Sequence, residues 1–540
     1  MPAITFGPIL LPALALVALA MPAAAQGVTA ERLLNAAEEP QNWLMNHGNY
    51  AGHRYSALDQ INRETVGNLV VRFSINLGGL LDSGGNYAEA LPASPLVDDG
   101  FMYIADGWGA VNKLDLRQRA RLVWRSEAGQ GNLDAWLQAT RGLAFHGNSV
   151  LAITADGQLE WIDRASGEIT RTVQVADPRE GYTISAPPLV VGDTIMVGGS
   201  GVDRGARSRI DAIDATDGAP LWTLFPGPAE VGGGAFLQTG VYDPQSGFAY
   251  WGASHAYPRY GRAVGDEVFG NVALAVDVAD GRIAGEFAFP LPRPFSEAGT
   301  YPLVPDGDAG VRVTHFGNDG TFYAFAPDLT LATAAPYLAP AAQGWHPDNS
   351  APQSSGPIVP WADRAGCPNI RANPSFVSTY SPRTGLVYGA GADACHAGML
   401  PLMTPTTYSW LGAWYTAADA KTGLLTAVEP VYGEVKAQRL FNFPLHAGAL
   451  STAGHLIFTT TADGTLHALD DETLEPVWSH REASLTSVPP ITFMVDGEQF
   501  LAVVVGGNAW ATGLSYVPEE TPMSQDLFVV LVFGQRTSPR

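Results

Sequence analysis

Charge is scarce in this 540-residue chain, since only 15 % of its residues are Asp, Glu, Lys or Arg. Typical globular proteins carry about 25 %. Disordered chains are rich in charge and poor in aromatics, and here aromatics reach 10 % with 13 Trp. Cysteine is nearly absent, with Cys367 and Cys395 alone. No C-x-x-C-H occurs, which excludes covalent c-type haem, and no P-loop, H-E-x-x-H or post-strand G-x-G-x-x-G is found. Basic residues are few, 30 against 53 acidic, for a net charge of −23. Phosphate binding needs a basic face, so nucleic acid is excluded as a partner. Anionic membrane surfaces are disfavoured for the same reason. Cations, metals and basic proteins suit such a surface.

Met1 to Ala25 is nearly all apolar or small and ends in Ala23-Ala24-Ala25. It reads as a secretory signal, residues 1–25, cleaved before Gln26. Its leading stretch lacks Lys and Arg, so a retained N-terminal helix is the alternative. No later apolar run is long enough to span a bilayer. The expected location is periplasmic or secreted. In an oxidising compartment two cysteines default to a disulfide, with free thiols as the rival state. A bridge would close a loop of about 28 residues, worth ~3 kcal/mol in the chain-entropy model.

The chain holds 60 Gly and 40 Pro, the composition of a turn-rich β protein. Three segments resemble one another: Thr154-Ala155-Asp156-Gly157-Gln158-Leu159, Thr461-Ala462-Asp463-Gly464-Thr465-Leu466 and Asn318-Asp319-Gly320-Thr321-Phe322-Tyr323. Each reads as a strand, a tight Asp-Gly turn and a second strand. Further turns follow, often D-x-x-x-G and then an aromatic, as in Asp214…Gly218…Trp222. Copies recur roughly every 50 to 60 residues, the period of a four-stranded propeller blade. Seven to nine blades fit. The tail Asp526 to Gly534 is a buried-strand pattern suited to closing the ring. Residues 26–540 therefore read as one propeller domain. Trp108, Trp161 and Trp222 read as blade packing. The stretch from about 331 to 366, rich in Pro, Ala and Gly, reads as a long loop.

Several segments carry a family resemblance. Asn49 through Asn62 contains Arg54-Tyr55-Ser56-Ala57-Leu58-Asp59-Gln60-Ile61-Asn62. Glu180 through Pro188 and the run from Phe443 through Gly507 follow in order. The chain resembles quinoprotein alcohol dehydrogenases over nearly its whole mature length. That resemblance implies an all-β fold, a single eight-bladed β-propeller of four-stranded blades. It implies pyrroloquinoline quinone (PQQ) with a calcium or lanthanide ion, an alcohol substrate and a separate cytochrome c as electron acceptor. It also places Cys367 and Cys395 where the family has a disulfide.

The site residues carry over one at a time. Arg141 matches the family's Arg-Gly, but Ala135 and Trp136 stand where the family has adjacent cysteines over the quinone. Trp136 can still stack on a flat ring. Ser200-Gly201-Val202-Asp203 replaces Ser-Gly-Ala-Glu, keeping a metal carboxylate at Asp203. His255 replaces a metal-ligand Asn, and Leu237 the floor Trp. The catalytic Asp falls near Phe295, with Glu297 at the second acidic position. Asn318 replaces a Lys or Arg, and His446 a cofactor-contacting Trp. The resemblance thus assigns catalysis to Glu297, Arg141 and Asp203. Cofactor contacts go to Trp136, Arg141, Ser185, Ser200, Gly201, Asn318 and His446.

Imidazole is a softer ligand than an amide oxygen, so His255 tilts the metal from calcium toward a transition ion. Asp203, His255 and His446 could together form a two-His, one-carboxylate set. Plainer readings exist for each: hydrogen-bonded histidines, an Asp turn cap, a structural partner for Arg141, a solvated Glu297. Three functions follow. One is PQQ- and metal-dependent oxidation of an alcohol. Another is a transition-metal propeller that has lost the quinone, and the third a non-catalytic binding propeller. The first is preferred, for its retained polar anchors.

Overall fold

The computed structural model describes residues 27–78, 93–106, 109–127, 142–200, 206–227, 234–254, 270–289, 298–307, 310–338, 377–399, 414–443, 445–481, 486, 488–506 and 528–536. Side chains at 392–399, 414–421 and 446 lie outside that description.

Eight antiparallel sheets follow one another along the chain. Blade 1 comprises Leu96–Asp98, Phe101–Ala105, Val111–Asp115 and Arg121–Arg125. Blades 2 to 7 repeat this four-strand meander and begin at Ala144–His146, Leu189–Val191, Val241–Asp243, Leu303–Pro305, Thr379–Ser381 and Leu445–Thr452. Blade 8 draws on both ends of the chain. Ile491–Val495, Glu498–Gly506 and Phe528–Gln535 pair in turn, and Leu69–Asn76 adds the outer strand. The tail expected to close the ring does so, with Leu69 opposite Gln535 and Asn76 opposite Val529. Closure covers the sheet faces that the first and last blades of an open row would expose.

Burial follows strand rank. Second strands such as Phe248–Ala253 are buried almost throughout, whereas outer strands such as Ile169–Gln174 alternate half-buried with exposed. Inner strands touch neighbouring blades on both faces, which explains their unbroken apolar runs. Outer strands face water on one side and keep a period of two.

The Asp-Gly turns are as read. Gly157, Gly320 and Gly464 sit at φ near +80° in the turns joining second and third strands. Thr154 and Thr461 each donate from Oγ1 to the Asp two residues on. The tryptophans dock blade on blade. Trp124 Nε1 donates to the Arg164 carbonyl of blade 2 at 3.1 Å, Trp161 to Ala215 of blade 3 at 2.9 Å, and Trp222 to Val278 of blade 4 at 3.0 Å. Trp124 and Trp222 lie flat over glycines of the next blade. A Cβ on Gly167 would come 2.7 Å from Trp124, and one on Gly281 2.5 Å from Trp222. Trp108 lies outside the described residues.

One expectation fails. Leu331–Pro336, read as the start of a long loop, is the outer strand of blade 5, paired with Thr321–Phe325. Its Ala and Pro content hid it. An outermost strand needs only one buried face, and Pro336 ends it at the sheet edge, where a missing N–H is tolerated.

The N-terminal segment 41–56 is the hub. It bonds in turn to residues of all eight blades. Trp43 pairs with Val97 of blade 1, and Asn46 Nδ2 donates to Leu143 O at the head of blade 2. Tyr50 Oη donates to Val190 O of blade 3, and its carbonyl accepts from Tyr242 N of blade 4. Ala51 O accepts from Leu303 N of blade 5 and His53 O from Tyr380 N of blade 6. Tyr55 and Ser56 run parallel to Ser451 and Thr452 of blade 7. Gln41 O accepts from Met494 N of blade 8. Arg54, only 1 % exposed, donates to the carbonyls of Asn46, Pro489 and Pro490 and stacks on Trp43. Burial without a carboxylate partner pushes its pKa down to about 9.

Candidate functional site

Blade 3 brings two of the expected cofactor residues together. The strand Thr194–Gly198 ends at Gly199-Ser200. Ser200 N donates to Thr183 O, and Thr183 N to Ser200 O, at 2.7 and 2.9 Å. This bridge sets Ser200 beside the segment that carries Ser185, just ahead of the inner strand Leu189–Val191. Tyr182 fixes the segment, since its hydroxyl donates to Arg209 O at 3.0 Å and the Arg209 guanidinium lies 4.2 Å over its ring. Burial pushes the Tyr182 phenol strongly up, so it stays neutral. Gly199 is required by this contact, because a Cβ there would meet the Tyr182 hydroxyl at 2.2 Å.

Ser185 is 2 % exposed, and its Oγ has no hydrogen-bond partner among the described residues. An unpaired buried hydroxyl costs about 1–3 kcal/mol. A bound group that supplies a partner removes that cost. Ser200 is buried to 6 % exposure. Asn318 is also buried, in the Asp-Gly turn of blade 5 that follows the strand Val311–Phe316. It thus sits two blades from the Ser185–Ser200 pair.

The backbone of His446 lies in the inner strand of blade 7, within a register shift between Leu445 and Ala449. Its side chain is not described, nor is that of Cys395 in the strand Leu386–Met399. Trp136, Arg141, Gly201, Asp203, His255, Glu297 and Cys367 lie outside the described residues, so the metal set, the catalytic group and the disulfide stand as expectations. Leu237, at the floor-tryptophan position, is half-buried.

The sequence reading missed a recurrent hydroxyl. Ser94, Ser185, Thr239, Thr300, Ser378 and Thr486 each lie just before the inner strand of a blade, and all are buried. Thr300 and Ser378 bond each other at 3.1 Å, and Thr486 bonds Thr460. Ser94, Ser185 and Thr239 have no partner among the described residues. In blade 4, Ser254 is fully buried, and neither its Oγ nor the Oδ1 of Asn271, whose backbone N–H donates to Ser254 O, has a partner among the described residues. The only signal in the sequence was a Ser or Thr a few residues ahead of each apolar run, and this reads equally well as a turn.

Among the described residues one group has spacing suited to a metal, His455, Asp471 and Glu472. Arg383 bonds both Asp471 and Glu472, and Arg63 bonds Asp471. These cations already neutralise the carboxylates, and the cluster reads as an ion-pair network. No helix among the described residues is long and apolar enough to cross a membrane.

Comparison with known proteins agrees with this geometry. Residues 43–288 match the family model described as "PQQ: Glucose/ethanol/alcohol dehydrogenase, beta-propeller domain". The chain is 27 % identical to the quinohemoprotein alcohol dehydrogenase ADH-IIG of Pseudomonas putida, over 90 % of this chain and 75 % of that protein. It is 27 % identical to the quinoprotein alcohol dehydrogenase PedH of Pseudomonas putida, over 90 % and 89 %. A lanthanide-dependent methanol dehydrogenase of Methylacidiphilum fumariolicum is 26 % identical, over 89 % and 87 %. Among solved structures, a europium-containing methanol dehydrogenase superposes with a TM-score of 0.81 at 24 % identity, covering 93 % of this chain and all of that one. Residues 43–288 thus match the propeller domain of that family model, and the chain is similar along most of its length to quinoprotein and quinohemoprotein alcohol dehydrogenases, with the same eight-bladed β-propeller fold.

Proposed function

We propose that this chain is an oxidoreductase that oxidises an alcohol, uses PQQ with a bound metal ion, and passes electrons to a separate acceptor such as a cytochrome c. Export behind the segment 1–25, leaving a single propeller domain over 26–540, belongs to the same proposal. The observation that carries it is the buried Ser185 Oγ, without a partner among the described residues, on the segment that Thr183 ties to Ser200, in a chain similar to these enzymes over 90 % of its length. Such a hydroxyl suits a flat ligand rimmed with carbonyl and carboxylate oxygens.

Ser185, Ser200, Gly201, Asn318 and Arg141 would hold the quinone by hydrogen bonds, with Trp136 against its face and His446 at its edge. Asp203, His255 and His446 would hold the metal. The bound quinone supplies a hydride acceptor polarised by the ion. Glu297 would take the proton of the alcohol hydroxyl, which calls for a carboxylate within hydrogen-bond reach of that oxygen.

The test is dye-linked alcohol oxidation by protein incubated with PQQ and either Ca²⁺ or a lanthanide ion. Turnover that Glu297→Gln abolishes, with quinone binding retained, supports the assignment. Full turnover in that variant would return Glu297 to the solvated surface. Quinone uptake that Ser185→Ala leaves unchanged in affinity would remove Ser185 from the site.

A further inference from the structure

A narrow cavity of about 30 Å³ lies between the N-terminal hub and blades 2 to 4. Its walls are largely apolar, with Leu143, Leu189 and Val190 among them; of its polar lining residues, Asn46, Asn49 and Tyr50 have hydrogen-bond partners, which leaves His47 from the hub and Thr239 from the head of blade 4. His47 is 5 % exposed and Thr239 8 %. Neither nitrogen of the His47 ring has a hydrogen-bond partner of good geometry among the described residues, nor does Thr239 Oγ1. The ring nevertheless faces the Thr239 backbone. Two polar side chains with unused hydrogen-bonding capacity thus line one small void.

A neutral imidazole offers one donor and one acceptor, and a hydroxyl offers both. A dry void would leave the Thr239 hydroxyl and at least one ring nitrogen unsatisfied, which is unfavourable. A water needs roughly 10–15 Å³ of free volume and two to four polar partners. The cavity meets both needs, and it is too small for an organic ligand of drug size. We infer that it is a built water site, in which an ordered water bridges the His47 ring to Thr239 Oγ1 and so ties the hub to blade 4. None of the residues assigned to the quinone lines this cavity.

The sign of one substitution tests this. Thr239→Val keeps the shape and deletes the hydroxyl. If the hydroxyl holds a water, the variant melts lower, by roughly 1 °C for a chain of this size. If the hydroxyl is an orphan, its removal raises the melting temperature. Thr239→Ser, which keeps the oxygen, should also keep the water. A crystal structure of the wild-type chain provides the second readout. Density for one water within hydrogen-bond distance of both a His47 nitrogen and Thr239 Oγ1 is expected. Either a dry cavity or a higher-melting Thr239→Val overturns the inference.

Discussion

Blade-to-blade docking through tryptophan gives the sharpest stability prediction. Trp124 is 9 % exposed, donates to the Arg164 carbonyl of the next blade and lies on Gly167, whose φ is +80°. Trp124→Ala removes a buried indole and one of the two donors to that carbonyl, Lys113 Nζ being the other. Substitutions of this kind cost about 3–5 kcal/mol. With roughly 2.1 cal/mol/K of unfolding entropy per residue, a chain of this length loses about 1 °C per kcal/mol. The midpoint should therefore fall by about 3–5 °C in calorimetry at a fixed scan rate.

Gly167→Ala adds a separable test. A Cβ there would stand 2.7 Å from the indole. The substitution thus carries a clash as well as the left-handed backbone cost of about 1–2 kcal/mol. In the Trp124→Ala background the clash is gone and only the backbone cost remains. The two substitutions should therefore be strongly non-additive, with Gly167→Ala at least 1 kcal/mol cheaper once the indole is absent. Additive costs, or a Trp124→Ala midpoint within 1 °C of wild type, would refute the docking account.

Two histidines of the hub, His47 buried and His53 half-buried, and a buried carboxylate predict opposite pH slopes. Burial pushes the pKa of His47 down to about 3 and of His53 down to about 4. The unfolded chain then binds more protons than the folded one between these values and about 6.5. Stability should therefore fall as pH drops through that window. His53→Gln should flatten the slope of midpoint against pH, and an unchanged slope would contradict the assignment. Glu160 is pushed up to about 7, chiefly by burial and then by Asp156 and Glu127. Its folded form keeps a proton that the unfolded form has lost, so stability falls as pH rises from about 4.5 to 7. Glu160→Gln should raise the midpoint at pH 8 and leave it unmoved at pH 4. A gain of equal size at both pH values would show that charge is not the cause.

The propeller was legible in the sequence because its signals are local. Asp156-Gly157 and Asp463-Gly464 announce tight turns, and Trp222 follows the Asp214…Gly218 turn into the outer strand, where its indole docks on the next blade. The tail strand Phe528–Gln535 showed itself as an unbroken apolar run. The hub did not. Residues 41–56 have no strand or helix period, and their partners range from Val97 to Met494. Only three-dimensional closure makes such contacts coherent. Leu331–Pro336 was obscured by composition, since an outer strand tolerates Ala and Pro that an inner one would reject.

The candidate site was legible only in part. Ser185 and Ser200 emerged from the family resemblance, and the structure joins them through Thr183. The buried hydroxyls of Ser94, Thr239 and Ser254 were invisible. A serine in a strand entrance and a serine in a turn look alike until burial separates them.

The central claim is that this propeller still holds a quinone despite its exchanged residues. The most direct measurement is the absorption spectrum and metal content of the purified protein after addition of PQQ with Ca²⁺ or a lanthanide ion and removal of the excess. The account predicts one quinone retained per chain, with a metal ion in equal amount. No quinone retained with any of these ions, and a transition metal bound in its place, would contradict it.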